Sequence, residues 1–453
     1  MDVENIYYKK IIYKKNAFLD MQTYVKLNFN NKKILLFTSK SIPSEETSRV
    51  MNALMAASES VCCYVSKNNF DKIELDKLHN KINSEKYDLF VALGAGRCCE
   101  VCKFFAFKNN VPYIACPTLA TSMSFFTNYC LNPYDMSDGF YANMPIKIFI
   151  QESLIRGASF YSNVMGLCFL NSIRAVYVEG VCSGDNEKNI IFKDMEKLFK
   201  KLEYEQTNIL LCDEDANLTL MDLFIDFGFL MAKLDKNDYF LFNFYKIYGH
   251  YSQSVEMAGV LMLLCSKMIL SLYKKYLEVD TVRCFEIPKV ELIKNIAKKD
   301  KFYGQIVKNV YFCEDFIVKN KINERMGVFC DIVQDQYKKI RNFCNSVKNV
   351  YKLGLEVSGD YGELTKAMLL ALYMGGDNYL TKLIAGSGVL NNLLSNNWCL
   401  LWDKTVNYFK YEKNNCVYIN YFPFVWNKHL LDKQLQFKHF VCRCIGWSLF
   451  EFR

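Results

Sequence analysis

Short apolar runs alternate with amphipathic stretches along the N-terminal third of the chain. Residues 32–38 form an apolar run that ends in Thr38 and Ser39, the pattern of a buried parallel strand with polar groups at its carboxyl end. Similar runs lie at residues 60–66, 88–93 and 111–116, and the helical stretches between them lie at 44–58, 71–84 and 98–109. This βαβαβ alternation predicts an α/β domain with a doubly wound, Rossmann-like sheet over residues 1–153.

Helical periodicity replaces this alternation in the rest of the chain. Long stretches with one apolar face predict an all-α C-terminal domain over residues 154–395. The predicted helices lie at residues 164–179, 188–201, 218–234, 252–276, 290–297, 323–348 and 361–374. Residues 396–453 form an aromatic-rich C-terminal extension, which contains all 4 tryptophans and carries no motif that we can assign.

Composition excludes several functional classes. The net charge of +8 comes from scattered lysines that form no basic stripe, so no nucleic-acid partner is expected. The 19 cysteines are irregularly spaced in apolar stretches, which indicates reduced thiols in a cytoplasmic protein. Among them, Cys98, Cys99 and Cys102 lack a second ligand pair at zinc spacing and are predicted to pack in a helix core. No apolar run reaches the roughly 18 residues of a membrane span, so none is expected.

The turn Gly94-Ala95-Gly96-Arg97 is the first candidate for chemistry. It directly follows the predicted strand at 88–93 and opens the predicted helix at 98–109. Small residues at a helix N-terminus leave main-chain N–H groups and the positive end of the helix dipole free to bind an anion such as a pyrophosphate. The hydroxyls of Thr118, Thr121 and Ser122 follow the next strand and should reach the same rim of the sheet.

Two motifs resemble the iron-containing alcohol dehydrogenase and dehydroquinate synthase superfamily, and within it most closely the sn-glycerol-1-phosphate dehydrogenases. Residues 92–103 are similar to the family's Gly-Gly-Gly-Lys/Ser-x-x-Asp-x-x-Lys, and residues 111–122 are similar to its Ile-Pro-x-Ile-x-x-Pro-Thr-x-Ala-Ser-Thr/Asn. The resemblance implies NAD or NADP as cofactor, with the pyrophosphate on Gly94, Ala95, Gly96 and Arg97. It further implies that Thr118, Thr121 and Ser122 approach phosphate and nicotinamide ribose, and that Thr38 and Ser39 lie near the adenosine.

The metal site that the resemblance implies is altered in this chain. The family binds one divalent metal through an Asp and two His in the cleft between its domains. Asn163 stands at the Asp position, residues 237–244 contain no His, and Tyr251 stands at the second His position with His250 one place earlier. Met123 also replaces an Asp on the substrate side. Because an amide supplies no charge to offset a dication, we expect a degenerate metal site, with His250 as its one candidate ligand.

The retained phosphate-binding turn favours an NAD(P)-dependent oxidoreductase that acts on a small phosphorylated polyol or carbonyl compound. Its proton donor would be Tyr251, His250 or Lys246. The alternative is a catalytically inactive nucleotide-binding or interaction protein on the same scaffold, and a third class is a synthase or lyase similar to dehydroquinate synthase. The choice between NAD and NADP stays open, and a homo-oligomer is compatible with the sequence.

Overall fold

A parallel sheet of six strands forms the N-terminal part of the molecule. The computed structural model describes residues 7–66, 72–183, 188–235, 238–251, 258–278, 290–298, 301–309, 326–351 and a few residues between 367 and 381. The sheet strands are β1 (Ile11–Lys14), β2 (Lys33–Ser39), β3 (Ser60–Ser66), β4 (Leu89–Gly94), β5 (Tyr113–Pro117) and β8 (Lys147–Gln151), and an antiparallel hairpin of β6 (Tyr129–Asn132) and β7 (Asp135–Tyr141) separates the last two. The strand order is β1-β8-β5-β4-β2-β3, with every neighbouring pair parallel.

Helices cover both faces of this sheet. On one face lie α1 (Ala17–Asn28) and α2 (Ser44–Met55), and on the other lie α3 (Lys72–Glu85) and α4 (Arg97–Asn109). Alternate residues of β2 face opposite sides of the sheet. Ile34 and Leu36 pack in the same cluster as α1 and α2, and Leu35 and Phe37 pack in the same cluster as α3 and α4. Both faces are buried, which explains why the strand is an uninterrupted apolar run.

The doubly wound sheet of the predicted fold class is confirmed, with two more strands than the four predicted. β1 and β8 escape prediction because each is short and each depends on a partner distant in sequence, Ile11 pairing with Ile148. The hairpin of β6 and β7 is also an addition, and its β7 strand contains the polar segment Asp135 to Asp138, which does not alternate as a strand usually does.

A helical layer follows the sheet, as predicted. Its helices are α5 (Glu152–Arg156), α6 (Phe160–Ser183), α7 (Asn189–Leu210), α8 (Glu214–Met231), α9 (Phe240–Tyr251), α10 (Ala258–Glu278), α11 (Val290–Ala297) and α12 (Met326–Tyr351). Helix α9 was not expected, and most of the predicted helix at 361–374 and the whole extension at 396–453 lie outside the described residues. The domain boundaries at 153 and 395 stay predictions.

Helix α6 corrects the expectation that no segment is apolar enough to cross a membrane. Its most apolar window has a mean hydropathy of 1.3, which by length and composition is sufficient. In the structure, however, 83% of that window is buried among the other elements, as is usual for the central helix of a globular domain. The buried Arg174 on this helix bonds to Gln336 at 2.7 Å and pairs with Glu203 at 3.0 Å, which ties α6 to α12 and α7.

Several side chains join the sheet to the helical layer. The phenol of Tyr7 donates to the carbonyl oxygen of Ile225 in α8 at 3.0 Å, and burial raises its pKa. The phenol of Tyr141 at the end of β7 donates to Asp235 at 3.1 Å, and Arg156 pairs with Asp215 at 2.7 Å. These contacts attach the helical layer to the N-terminal part of the molecule.

Candidate functional site

The turn between β4 and α4 adopts a main-chain conformation that requires glycine. Gly94 has φ +150° and Gly96 has φ +49° and ψ −112°, both in regions that other residues rarely occupy. A Cβ added at Gly94 would lie 3.3 Å from the Cβ of Cys98, whereas one added at Gly96 meets nothing within 4 Å. The turn is therefore closely packed on its inner side at Gly94 and open at Gly96.

The N-terminus of α4 opens onto the same space. Gly96 is its N-cap, and no side chain of the described residues caps this end of the helix. The first helical hydrogen bond runs from the Glu100 amide to the Gly96 carbonyl oxygen, so the amides of Arg97, Cys98 and Cys99 precede the helical ladder. The amides of a helix first turn, with the helix dipole behind them, suit a phosphate group.

Two buried hydroxyls flank the turn. Thr38 near the end of β2 is 1% exposed and Thr118 just after β5 is 5% exposed, and neither side-chain oxygen has a hydrogen-bond partner among the described residues. The Thr118 amide donates to the Gly94 carbonyl oxygen at 3.2 Å, which holds the loop after β5 against the turn. Because buried polar atoms are nearly always bonded, these two hydroxyls at one rim are groups that a polar ligand would satisfy.

The connections of the sheet explain why these residues meet. From β2 the chain runs through α2 to the edge strand β3, and from β4 it runs through α4 to β5 on the other side. Since α2 and α4 cover opposite faces, a crevice opens between the carboxyl ends of β2 and β4. In doubly wound sheets this reversal of strand order is the ligand-binding position.

The loop after β5 is held between the sheet and the helical layer. Thr121 and Ser122 are half-buried, and the hydroxyl of Ser122 accepts a bond from the Ser124 amide at 3.2 Å. Gly166 of α6 lies so close that an added Cβ would stand 2.2 Å from the Ala120 carbonyl oxygen. Met123, at the position of the substrate-side Asp, is buried rather than turned to solvent.

Two positioning residues connect α4 to the hairpin. The fully buried Lys103 donates to the carbonyl oxygens of Thr127 and Tyr129 at 3.0 and 2.8 Å, and the Glu100 carboxylate accepts from the Leu131 amide at 2.9 Å. Neither was predicted as a site residue. The signal for both is their place in the motif at 92–103, where they stand at the Asp and Lys positions.

Helix α9 brings a tyrosine to this rim that no sequence signal marks. Burial raises the pKa of the Tyr245 phenol, the nearby Glu100 carboxylate raises it further and the Arg97 guanidinium lowers it. Both charged residues belong to the first turn of α4. The helical layer thus places a phenol within electrostatic range of the predicted phosphate-binding turn.

The predicted metal position is not assembled in the described part of the chain. Asn163 is 1% exposed, and its amide nitrogen donates to the Ile209 carbonyl oxygen at 3.1 Å and to the Asn217 side-chain oxygen at 2.7 Å. His250 and Tyr251 end α9, but their side chains are outside the described set. The described residues contain no group of three His, Cys, Asp or Glu side chains arranged for a metal ion.

One family model matches part of the chain. Residues 12–158 match the family model described as iron-containing alcohol dehydrogenase. No curated protein matches the chain by sequence.

Solved structures extend the likeness beyond that segment. An alcohol dehydrogenase from an archaeon of a Red Sea brine pool is 13% identical with a TM-score of 0.56, over 84% of this chain and 97% of its own. A probable glycerol dehydrogenase from Sinorhizobium meliloti is 11% identical with a TM-score of 0.53, over 84% and 96%. An alcohol dehydrogenase from Oenococcus oeni is 12% identical with a TM-score of 0.53, over 83% and 97%. The chain therefore has the fold of the iron-containing alcohol dehydrogenases, and its residues 12–158 match the sequence model of that family.

Proposed function

We propose that this protein is an NAD(P)-dependent oxidoreductase that interconverts an alcohol and a carbonyl group on a small, phosphorylated or hydroxylated compound. The observation that carries this proposal is the crevice between β2 and β4, where an uncapped helix N-terminus and two orphaned buried hydroxyls face one rim. The family match of the sheet domain supports it independently.

The residues at the rim fit a dinucleotide. The amides of the turn at 94–97 would hold the pyrophosphate, with the open space above Gly96 admitting the phosphate oxygens. Thr38 and Ser39 would face the adenosine half, and Thr118, Thr121 and Ser122 the nicotinamide half. Strands β3, β2, β4 and β5 span about 14 Å between them, a width over which an extended dinucleotide can lie.

The nicotinamide, when bound, accepts or donates a hydride at the substrate carbon. The proton that balances this transfer must come from a side chain near the substrate oxygen. All three donors expected from the sequence, Lys246, His250 and Tyr251, belong to α9, the helix that also brings Tyr245 to the rim. We therefore assign the proton-donating role to the C-terminal half of α9.

Asn163 does not fit the position of a charged metal ligand, because its amide supplies no negative charge to offset a dication. The degenerate metal site remains part of the proposal, and metal analysis of the purified full-length chain tests it. One equivalent of bound iron or zinc would contradict it.

The proposed substrate class follows the motif resemblance to the sn-glycerol-1-phosphate dehydrogenases, so dihydroxyacetone phosphate is the first compound to assay. A cytoplasmic location is part of the same proposal, since the described cysteines are free thiols. Turnover of unphosphorylated glycerol or dihydroxyacetone alone would support the proposed oxidoreductase activity but would refute the proposal of a phosphorylated substrate.

The decisive experiment is a titration of the full-length chain with NADH and NADPH, repeated on Gly96→Asp and on the matched control Gly304→Asp. A Cβ at either glycine meets nothing within 4 Å, but φ +49° strains any side chain at Gly96, so Gly96→Ala is titrated as well to measure the effect of that strain without the charge. A carboxylate at Gly96 lies where the pyrophosphate would bind and should reduce affinity at least about 100-fold, whereas the control should bind as the wild type does. Equal binding by the two variants would refute the site, and binding without turnover of any carbonyl compound would favour the inactive alternative.

A further inference from the structure

We infer that the cofactor site prefers NADP(H) to NAD(H), and that Ser39, Lys40 and Ser41 bind the 2′-phosphate of its adenosine. This inference rests on the proposed function and adds the cofactor class that the site selects. It makes Lys40, which no motif marks, a specificity-determining residue.

The position of the adenosine ribose follows from the sheet order. With the pyrophosphate on the turn after β4 and the nicotinamide half over β5, the adenosine half must lie on the opposite side of β4. The neighbour there is β2, which ends at Ser39. The ribose therefore lies against the connection between β2 and α2, which consists of residues 40–43.

An NAD site of this architecture usually places an Asp or Glu near the adenosine ribose, where the carboxylate accepts a bond from the 2′-hydroxyl and repels a 2′-phosphate. This chain has no carboxylate between Phe37 and Pro43. The adjacent edge strand β3 also ends in a residue with a hydroxyl, Ser66, which pairs in register with Ser39.

The first carboxylates after β2 are already paired. They belong to Glu45 and Glu46 in the first turn of α2. Arg49 lies 3.2 Å from the Glu46 carboxylate and 4.0 Å from that of Glu45. The Glu46 side chain is only 14% exposed, and burial raises its pKa. The group that would exclude a 2′-phosphate is thus missing from the strand end, and of the two nearest carboxylates Glu46 is the one that pairs closely with Arg49.

The same connection carries a set of groups suited to a phosphate. The hydroxyls of Ser39 and Ser41 are hydrogen-bonded to each other at 2.6 Å, so the two lie close enough to contact one bound oxyanion. The Ile42 amide donates to the Ser39 carbonyl oxygen at 3.1 Å, which fixes this turn. Lys40 lies between the two serines, is exposed, and forms no ion pair within the described residues. Two hydroxyls and one ammonium group bind a phosphate through charge-assisted hydrogen bonds.

Calorimetric titration of the full-length chain with NADPH and NADH tests the inference by binding rather than by turnover. The wild type should bind NADPH at least about tenfold more tightly, the factor given by one charge-assisted hydrogen bond of ~1.4 kcal/mol. Added salt should weaken NADPH binding more than NADH binding, because the exposed Lys40 is screened.

Three variants separate the contributions. Lys40→Ala should lower NADPH affinity about tenfold and leave NADH affinity unchanged, and Ser39→Asp should reverse the preference by placing a carboxylate at the ribose. Lys26→Ala is the matched control, since it removes an exposed charge near the end of α1, just before the amino end of β2, and should change neither affinity.

The outcomes distinguish the inference from the function on which it rests. Equal affinity for the two cofactors, tighter NADH binding, or an unchanged Lys40→Ala variant would overturn the NADP(H) preference and leave the oxidoreductase intact. Failure of the wild type to bind either cofactor would overturn both.

Discussion

Replacement of Gly166 by alanine tests whether the helical layer holds the loop after β5 in its working position. An added Cβ would stand 2.2 Å from the Ala120 carbonyl oxygen and 3.2 Å from a methyl carbon of Leu220. A main-chain carbonyl cannot rotate aside as the end of a long side chain can. The helix or the loop must therefore retreat by roughly 1 Å to restore an ordinary contact distance.

The size of the effect follows from that displacement. Overpacking of this kind costs about 1–3 kcal/mol of folding free energy. The hydroxyls of Thr118, Thr121 and Ser122 belong to the displaced loop, and a shift of about 1 Å at a reacting geometry reduces turnover by up to about 100-fold. Loss of one hydrogen bond of ~1.4 kcal/mol from the loop would weaken cofactor binding about tenfold.

Two other glycines separate stability from binding. Gly180→Ala also overpacks a helix, since its Cβ would stand 1.9 Å from the Phe192 ring, but it lies within the contact of α6 with α7. It should lower the melting temperature without changing cofactor affinity. Gly157→Ala, whose Cβ would be 3.4 Å from its nearest neighbour, should change neither quantity by much. Thermal unfolding and cofactor titration on all three variants are the assays, and wild-type affinity in a destabilised Gly166→Ala variant would refute the role of the loop.

Three further predictions concern stability. Lys103→Met leaves the carbonyl oxygens of Thr127 and Tyr129 without their donor, so denaturant unfolding should show a loss of about 2–4 kcal/mol in the free energy of unfolding. Hydrogen exchange should rise in the hairpin, and unchanged exchange there would contradict the bridging role of Lys103. Arg174→Leu should destabilise the chain by about 2–4 kcal/mol because it leaves the buried side-chain oxygens of Asn171 and Gln336 without their donor. The exposed Arg49→Leu should stay within about 1 kcal/mol, and equal effects would be evidence against the network. Burial raises the pKa of the Cys99 thiol from 9.0 to about 12, so the folded state keeps a proton that the unfolded chain releases, and stability should fall as the pH rises from 9.0 toward 12. In native protein at pH 8, iodoacetamide should label the exposed Cys63 before Cys99, and the reverse order would show that the thiol is not buried.

Much of the parallel sheet and its glycine turn could be predicted from the sequence because their signals are local. A strand buried on both faces needs an uninterrupted apolar run, and a turn with φ +49° needs glycine. The strands β2 and β4 and the turn at Gly96 can therefore each be recognised from their own residues. Motif spacing then placed Thr118, Thr121 and Ser122 at the same rim. β1 and β8 carry weaker marks, because a strand of four or five residues is defined by the neighbour with which it pairs.

The site on the helical side could not be predicted in this way. Alignment placed Asn163 at a metal-ligand position, but it could not show the bonds of its amide nitrogen to Ile209 and Asn217, which depend on where α7 and α8 cross α6. The Arg97 guanidinium affects the pKa of Tyr245 because α9 lies over the hairpin. Periodicity shows which face of a helix is apolar, but it does not show which partner covers that face.

The amino-acid sequence by itself determined the strands that run through the core, the glycine turn after β4 and the absence of a carboxylate from residues 38–42, because main-chain conformation and burial act on each residue where it stands. Only the tertiary structure decided that α2 and α4 cover opposite faces of the sheet and that Gly166 contacts the loop after β5. It also decided that Thr38 and Thr118 have side-chain hydroxyls without a partner among the described residues on either side of the resulting crevice. Those relations join residues far apart in the chain, and they arise from the packing of whole layers rather than from any local pattern.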